Sequence, residues 1–550
     1  MVLPASETAV PLEKNACLAE IRFGGTAAES QQQQMKNTLL KSTLILSIAA
    51  LLSKILGSLF RIPLQNIAGD EVLGIFTLVY PVYMVALTLS VAGIPIAISK
   101  LIAEARAKGD EQEIKHIFNV SGVLASLFGL TSFLLIFAFS HQLAEVLGGS
   151  STRPALIVVA LTLLIAPYMA VYRGFFQGYE NMAPTAVSQV IEQFVRVGLI
   201  LVVAVIMVQN LYSDQEVAGG IMIGSFLGAA ASLVYLRLLY QRTHKKAMQK
   251  TEANRKPFWK TGRMILKISI PIAIGAITMA LLNLADSITV PAGLKNYGTS
   301  AGDINYLYGI YGRGLALVQI VTVFASSVVL PLIPSISAKL AQQDSEGVKK
   351  LINNTFFLTY VISIPAAVGL VALTLPINRA LFTDLEGSAV LAVVSFSSLF
   401  TSLAVLGTGV LQGINKARLG AWIIVAGVVL KLVLNLIFVN MYGLMGAAIS
   451  TAAVYFVLYL INTYFIWKYT KFNFFSKKLL LVSVAGLAMG AAVWMPGIYF
   501  DFSELSRVLS LIYVAVTITI GAAFYFGLLI AFKAVGPELL SRIPIFKRFV

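Results

Sequence analysis

From about residue 42 to residue 532 the chain alternates between long apolar stretches and short polar breaks. The stretches fall at roughly 42–67, 74–99, 117–140, 154–178, 186–209, 217–240, 264–291, 308–333, 352–376, 387–412, 420–439, 444–467, 479–498 and 508–532. A helix crosses the hydrocarbon core of a bilayer in about 20 residues. Backbone polar groups in lipid must bond within their own segment, so each stretch predicts a helix. The pattern predicts an all-α polytopic membrane protein with fourteen transmembrane helices.

Composition agrees: 58% of the residues are hydrophobic and 12% charged, against about 25% charged in a soluble domain. The net charge of +16 raises nucleic acid as a partner until the charges are placed. With a cytoplasmic N-terminus, 31 of the 41 Lys and Arg fall in the inner segments. The outer loops hold only Arg153, Lys295, Arg379 and Arg507, with ten acids that include Asp70, Glu71, Asp214, Glu216, Asp384 and Glu386. Positive loops stay inside. The charge is thus a topology signal, both termini are expected in the cytoplasm, and nucleic acid drops out as a partner. The inner face is expected to attract anionic membrane lipid.

Residues 1–34 differ from the rest. They are polar, end in Gln31–Gln34, and are expected to be a disordered extension upstream of a natural start at Met35. The basic segment 241–263 separates an N-lobe (35–240, helices one to six) from a C-lobe (264–467, helices seven to twelve). Residues 468–550 add helices thirteen and fourteen and a basic tail.

The lobes read as a repeat. RGFFQGYENMAPTAVSQVIEQFVR (Arg173–Arg196) returns about 235 positions later as TGVLQGINKARLGAWIIVAGVVLK (Thr408–Lys431). Gln177 falls on Gln412, Gly178 on Gly413 and Arg196 on Lys431. Pro95 and Lys100 match Pro334 and Lys339, and Gly74-Ile75-Phe76 matches Gly309-Ile310-Tyr311. Each match sits at the same helix number within its half. Both repeats therefore enter the membrane in one orientation, as in transporters that rock two lobes about a midplane site. Pro81, Pro95, Pro167, Pro271, Pro331 and Pro365 lie inside spans, where each removes a backbone donor.

No phosphate-cradling loop, nucleophile elbow or zinc-protease motif is present, so the chain is not expected to be an enzyme. The three histidines (His116, His141, His244) are far apart, the single cysteine is Cys17, and no metal site or cofactor is expected. Six cations (Lys54, Arg61, Arg173, Arg196, Arg313 and Lys431) and two acids (Glu192 and Asp286) lie within or at the edges of spans. Such groups usually face a partner or a water-filled cavity. Guanidinium groups bind phosphate in a bidentate fork, so converging arginines predict an anionic substrate. Each residue has a second reading. Arg173 snorkels to the interface, and Glu192 neutralises Arg196 four residues on. Asp286 either pairs with Arg313 or, with Asn283 nearby, binds a coupling cation. Lys431 either braces its lobe or meets substrate. Lys54 and Arg61, seven apart, share a face. Gln177, Gly178, Gln412 and Gly413 are expected to shape an inner gate or turn.

VYRGFFQGYENMAPTAVSQVIEQFVRV, SKILGSLFRIPL, YPVYMVALTLSVAGIPIAISK and LQGINK resemble the polysaccharide-exporter branch of the multidrug/oligosaccharidyl-lipid/polysaccharide flippase superfamily. The likeness is to the Gram-positive lipid II flippase and stage V sporulation protein B group, and it covers most of 36–550. It implies fourteen helices in two lobes with two extra helices. It implies a flippase of the bacterial plasma membrane that moves a lipid-linked cell-wall precursor by alternating access around a cationic cavity. The last two helices would help to hold the polyprenyl tail, and cell-wall synthesis enzymes would be partners. Family arginines on helices one and eight match Arg61 and, approximately, Arg313. The helix-two arginine has no counterpart, because Ala86–Gly93 is uncharged. Flippases for teichoic, capsular or spore-cortex oligosaccharides and multidrug antiporters share the architecture.

Overall fold

The computed structural model describes residues 46, 48–244, 257–300, 302–473 and 477–534. The predicted N-terminal extension, much of the basic inter-lobe loop and the C-terminal tail lie outside the described residues. Among the described residues there is no β-strand. The helices in chain order are α1 (48–59), α2 (Arg61–Val91), α3 (Ile94–Ala107), α4 (Glu111–Ala138), α5 (Ser140–Val146), α6 (Arg153–Ala160), α7 (Thr162–Gly178), α8 (Ala183–Gln209), α9 (Asp214–Ile221) and α10 (Ile223–His244). There follow α11 (Phe258–Tyr297), α12 (Asp303–Ala341), α13 (Ser345–Ala372), α14 (Thr374–Phe382), α15 (Ser388–Gly413), α16 (Ala417–Tyr442), α17 (Leu444–Thr470), α18 (Lys477–Trp494) and α19 (Arg507–Ala531).

Among the described residues, thirteen helical stretches are long and apolar enough to cross a membrane. The first, Ile48–Ala107, has 60 residues, about twice what one crossing needs. It breaks at Gly69, whose φ of 81° and ψ of 178° turn the chain back. It therefore supplies the first two crossings, which agrees with the fourteen read from the sequence. Side-chain caps mark several helix starts. Asp110 accepts from the Glu113 amide at α4, and Asp344 accepts from the Gly347 amide at α13. Ser213 and Glu216 form a capping box at α9.

The core has three parts. Two clusters fill the N-lobe, one around Leu73, Phe76 and Leu156, the other around Ile98, Ile117 and Phe175. The third fills the C-lobe and takes in Val482, Met489, Tyr525 and Leu529 of α18 and α19. The final helix pair is thereby fixed to the C-lobe, where Tyr525 donates to the Val361 carbonyl at 3.0 Å. Helix α11 straddles the lobes. Ile265 near its start belongs to an N-lobe cluster, while Leu282, Val290 and Leu294 belong to the C-lobe. At the crossing, Gly93 lies so close to α11 that a Cβ there would sit 2.1 Å from the Ser269 carbonyl oxygen.

The repeat is visible in the packing. Gly178 ends α7 against Ile102, and Gly413 ends α15 against Ile336. Two residues after each glycine the chain turns through positive φ, at Glu180 (60°) and Asn415 (61°).

Candidate functional site

The lobes meet at the end that carries the acid-rich turns. The matched Gly-Ile-aromatic segments make this contact. A Cβ on Gly74 would lie 1.8 Å from the Asn305 carbonyl oxygen, and one on Gly309 would lie 1.9 Å from that of Asp70. Only glycine allows α2 and α12 to approach so closely. Polar bonds across the lobes surround this crossing. Asn66 donates to the Leu381 carbonyl at 2.8 Å, and Asn305 to the Ser151 hydroxyl at 2.7 Å. Arg313 is the centre of the seal. Its Nε donates to Asp70 of the N-lobe at 2.6 Å, and its Nη2 also bonds Asp70. Its Nη1 and Nη2 reach Asp384 at 2.7 and 2.8 Å, and Nη1 reaches Asn378 at 3.2 Å.

On the basic-loop side of this seal lies a cavity of about 520 Å³ between the lobes. Lys54, Arg61, Tyr80 and Thr88 form one wall; Asn283, Asp286, Tyr308, Gln319, Lys431 and Tyr455 form the other. The two walls differ in charge balance. On the C-lobe wall Lys431 Nζ lies 3.1 Å from Asp286 Oδ1 and also bonds the Thr451 hydroxyl. Asn435 donates to Asp286 at 2.8 Å and Tyr311 donates to it at 3.1 Å. Lys431 and Asp286 are 2% and 4% exposed. This wall is internally neutralised.

The N-lobe wall is not. Lys54, Arg61 and Arg196 make no ion pair among the described residues. Arg61 stands over the Phe76 ring at 5.8 Å, and its buried Nε has no partner. Arg196 sits behind Tyr80, donating to its hydroxyl at 3.1 Å, and its Nε is likewise unpaired. Two cations, Lys54 and Arg61, thus line this wall without an ion-pair partner, and a third, Arg196, lies behind Tyr80.

Four sequence expectations change. Arg313 does not line the cavity; it is fully buried in the seal, because Asp70 and Asp384 converge on it. Asp286 therefore pairs with Lys431, not with Arg313. Glu192 does not neutralise Arg196; it takes Arg173 at 2.7 Å, with Ser188 and Ser232 completing the guanidinium's partners. Arg173 is accordingly an internal brace between α7, α8 and α10, and it does not snorkel. Gln177 bonds Thr185 weakly at 3.5 Å, and Gln412 is exposed, so the duplicated Gln-Gly segments serve helix packing and the turn. Sequence reasoning missed Asp70, Asp384, Tyr80, Thr451 and Asn435. Only Asp70, an acid beside the Gly69 break, carried a local signal.

A groove of about 530 Å³ runs between α18 and α19, lined by Val493, Leu509, Val516, Ile520 and Phe524 among others. Among the described residues no three His, Cys, Asp or Glu side chains gather as metal ligands would.

Comparison with known proteins agrees with this architecture. The polysaccharide biosynthesis protein family model matches residues 39–338, and the MatE model matches residues 308–437. The uncharacterized membrane protein YabM of Bacillus subtilis (strain 168) is 33% identical over 425 residues, 76% of this chain and 78% of that one. The lipid II flippase MurJ of the same organism is 27% identical over 521 residues, 89% of this chain and 95% of that one. A solved structure of lipid II flippase MurJ in an inward closed conformation superposes with a TM-score of 0.65 at 17% identity, covering 88% of this chain and all of that one. The family match over more than half of the sequence shows that the chain belongs to the polysaccharide biosynthesis protein family, and its helical architecture agrees with that membership.

Proposed function

We propose that this protein is a non-enzymatic flippase that moves an anionic lipid-linked cell-wall precursor, most specifically undecaprenyl-pyrophosphate-linked lipid II, across the bacterial plasma membrane. The observation that carries the reading is the unbalanced wall: Lys54 and Arg61 line the cavity without an ion-pair partner among the described residues, with Arg196 behind Tyr80, whereas Lys431 is matched by Asp286. A pyrophosphate would bind there through charge-assisted bonds that the guanidinium groups otherwise lack. The tail would stay in lipid. With the charge-derived topology the seal lies on the outer side and the cavity on the cytoplasmic side. Transport would break the Arg313–Asp70 link and close the lobes at the basic end. Membrane potential supplies about 2.3 kcal/mol per charge per 100 mV, enough to help return an emptied cationic wall. At Asp286, Lys431 already provides the positive charge that a coupling cation would bring.

The test is flipping of lipid II in proteoliposomes by Arg61→Gln and Lys54→Gln, with complementation of a strain depleted of its lipid II flippase. Near-normal flipping by both variants would sink the cationic-wall reading. Complementation failing while flipping of another lipid-linked oligosaccharide persists would favour a teichoic, capsular or spore-cortex substrate. A multidrug antiporter is disfavoured, since the cavity's single lining acid is already neutralised.

A further inference from the structure

Outside the central cavity, a slot of about 300 Å³ lies in the seam between the N-lobe and α11. Leu89, Phe128, Leu135, Ile270 and Ile274 form its walls, and all five are exposed. On membrane-crossing helices such a slot faces hydrocarbon. Its floor is polar. Ser90 of α2 and Ser132 of α4 bond each other at 2.9 Å. The hydroxyls of Ser121 and Ser269, which also line the slot, are buried and have no hydrogen-bond partner. Ser121 is 0% and Ser269 6% exposed. Buried polar groups are normally satisfied, so two unpaired donors in one apolar slot call for a ligand that brings an acceptor into hydrocarbon. The register of α11 adds a charge. Arg263 and Lys267 stand at i, i+4 on the face that continues through Ile270 and Ile274, and both are exposed.

We propose that this slot binds one anionic glycerophospholipid, with its phosphate on Arg263 and Lys267, its ester carbonyls on the Ser269 and Ser121 hydroxyls, and an acyl chain between the walls. The order of chemistry along α11 fits that molecule. Arg263 and Ser269 are six residues apart, about 9 Å along a helix, so cations come first, then hydroxyl donors, then hydrocarbon. A polyprenyl phosphate has no ester carbonyl, its hydrocarbon beginning at the phosphate, so it leaves the serines unpaired. The site stands apart from the central cavity and does not depend on what that cavity carries. Its place matters because Gly93 packs on the Ser269 backbone beside the slot. A lipid seated there wedges the joint at which α11 leaves the N-lobe, and so ties lobe motion to the charge of the surrounding lipid.

The experiment reconstitutes the full-length protein with a phosphatidylglycerol that carries a diazirine at its chain end, and maps the photo-adducts by mass spectrometry. Adducts concentrated in 124–135 and 265–274 are expected. Unlabelled phosphatidylglycerol should compete about tenfold better than phosphatidylcholine, given two cations at the headgroup. Arg263→Gln with Lys267→Gln should remove that preference. Ser121→Ala with Ser269→Ala should lower labelling of the slot alone. Ala273→Phe should fill the slot and abolish labelling, with gel filtration and thermal unfolding confirming the fold. The surface charge variant keeps the question open to test even if that filled variant misfolds. Adducts spread evenly over lipid-facing helices, equal competition by phosphatidylcholine, or displacement by undecaprenyl phosphate as strong as that by phosphatidylglycerol would each overturn the proposal.

Discussion

Asp70→Asn tests what holds the lobes together. Asp70 meets Arg313 through both carboxylate oxygens and also accepts from Gln65 at 3.0 Å. The asparagine keeps one acceptor oxygen but loses the charge and the second bond. A hydrogen bond to a charged group contributes a net of about 1.5–3 kcal/mol. Arg313 is not left uncompensated, since Asp384 and Asn378 still bind it. The substitution therefore avoids the full cost of an unpaired buried ion and acts mainly on the equilibrium between lobes joined and lobes apart. At about 1.4 kcal/mol per factor of ten, the shift is roughly 10- to 100-fold toward the open state. Asp384→Asn is the control. Asp384 lies in the same lobe as Arg313 and its side chain is 41% exposed, so its loss leaves the inter-lobe bond in place. Spin labels at Gln215→Cys and Lys295→Cys, both exposed, report the separation in a Cys17→Ser background. Pulsed EPR is expected to show a longer-distance population for Asp70→Asn and the parental distribution for Asp384→Asn. Matching distributions for parent and Asp70→Asn would refute the reasoning.

Four further outcomes follow from local geometry. Lys431→Met leaves Asp286 buried with only Asn435 and Tyr311; it should cost about 3–5 kcal/mol, and Lys431→Met with Asp286→Asn should recover most of it, read as thermal unfolding in detergent. Gly74→Ala places a Cβ 1.8 Å from a backbone oxygen of the other lobe, so the acid-rich end should open and stability fall by about 1–3 kcal/mol. Gly275→Ala, with nothing within 4 Å, should be neutral or mildly stabilising by the same measurement. Lys339 first, and then the Gly347 amide, hold the Asp344 carboxyl below its ordinary value. A lowered carboxylate stabilises the fold above its unfolded pKa of about 3.9 and loses that contribution as pH falls through the folded value. Hydrogen exchange at Gly347 should accordingly rise below about pH 4 in the parent and show no such acid step in Asp344→Asn.

The crossings, their number and the repeat were legible because hydrophobic period and span length are local properties. Each crossing satisfies its own backbone whatever its neighbours do. The duplicated glycines were legible as well, since a residue without Cβ at matched positions signals close approach. Their partner was not. Gly74 and Gly309 meet each other's helices across the lobes, whereas Gly178 and Gly413 each pack inside one lobe. The same residue in the same kind of pattern thus seals an interface in one pair and shapes a turn in the other.

Charge shows the division most clearly. Linear order alone puts six cations and two acids within or beside spans and gathers most of the remaining cations into alternate loops. Which acid would answer which cation was decided only by tertiary structure. Glu192 is four residues from Arg196 yet bonds Arg173, and Asp286 bonds Lys431 from another helix. Arg313 finds Asp70 from a distance of 243 positions. An ion pair depends on a separation of a few ångströms, which helix packing sets. Once those pairs are made, Lys54, Arg61 and Arg196 remain without an ion pair among the described residues, and of these Lys54 and Arg61 line the cavity.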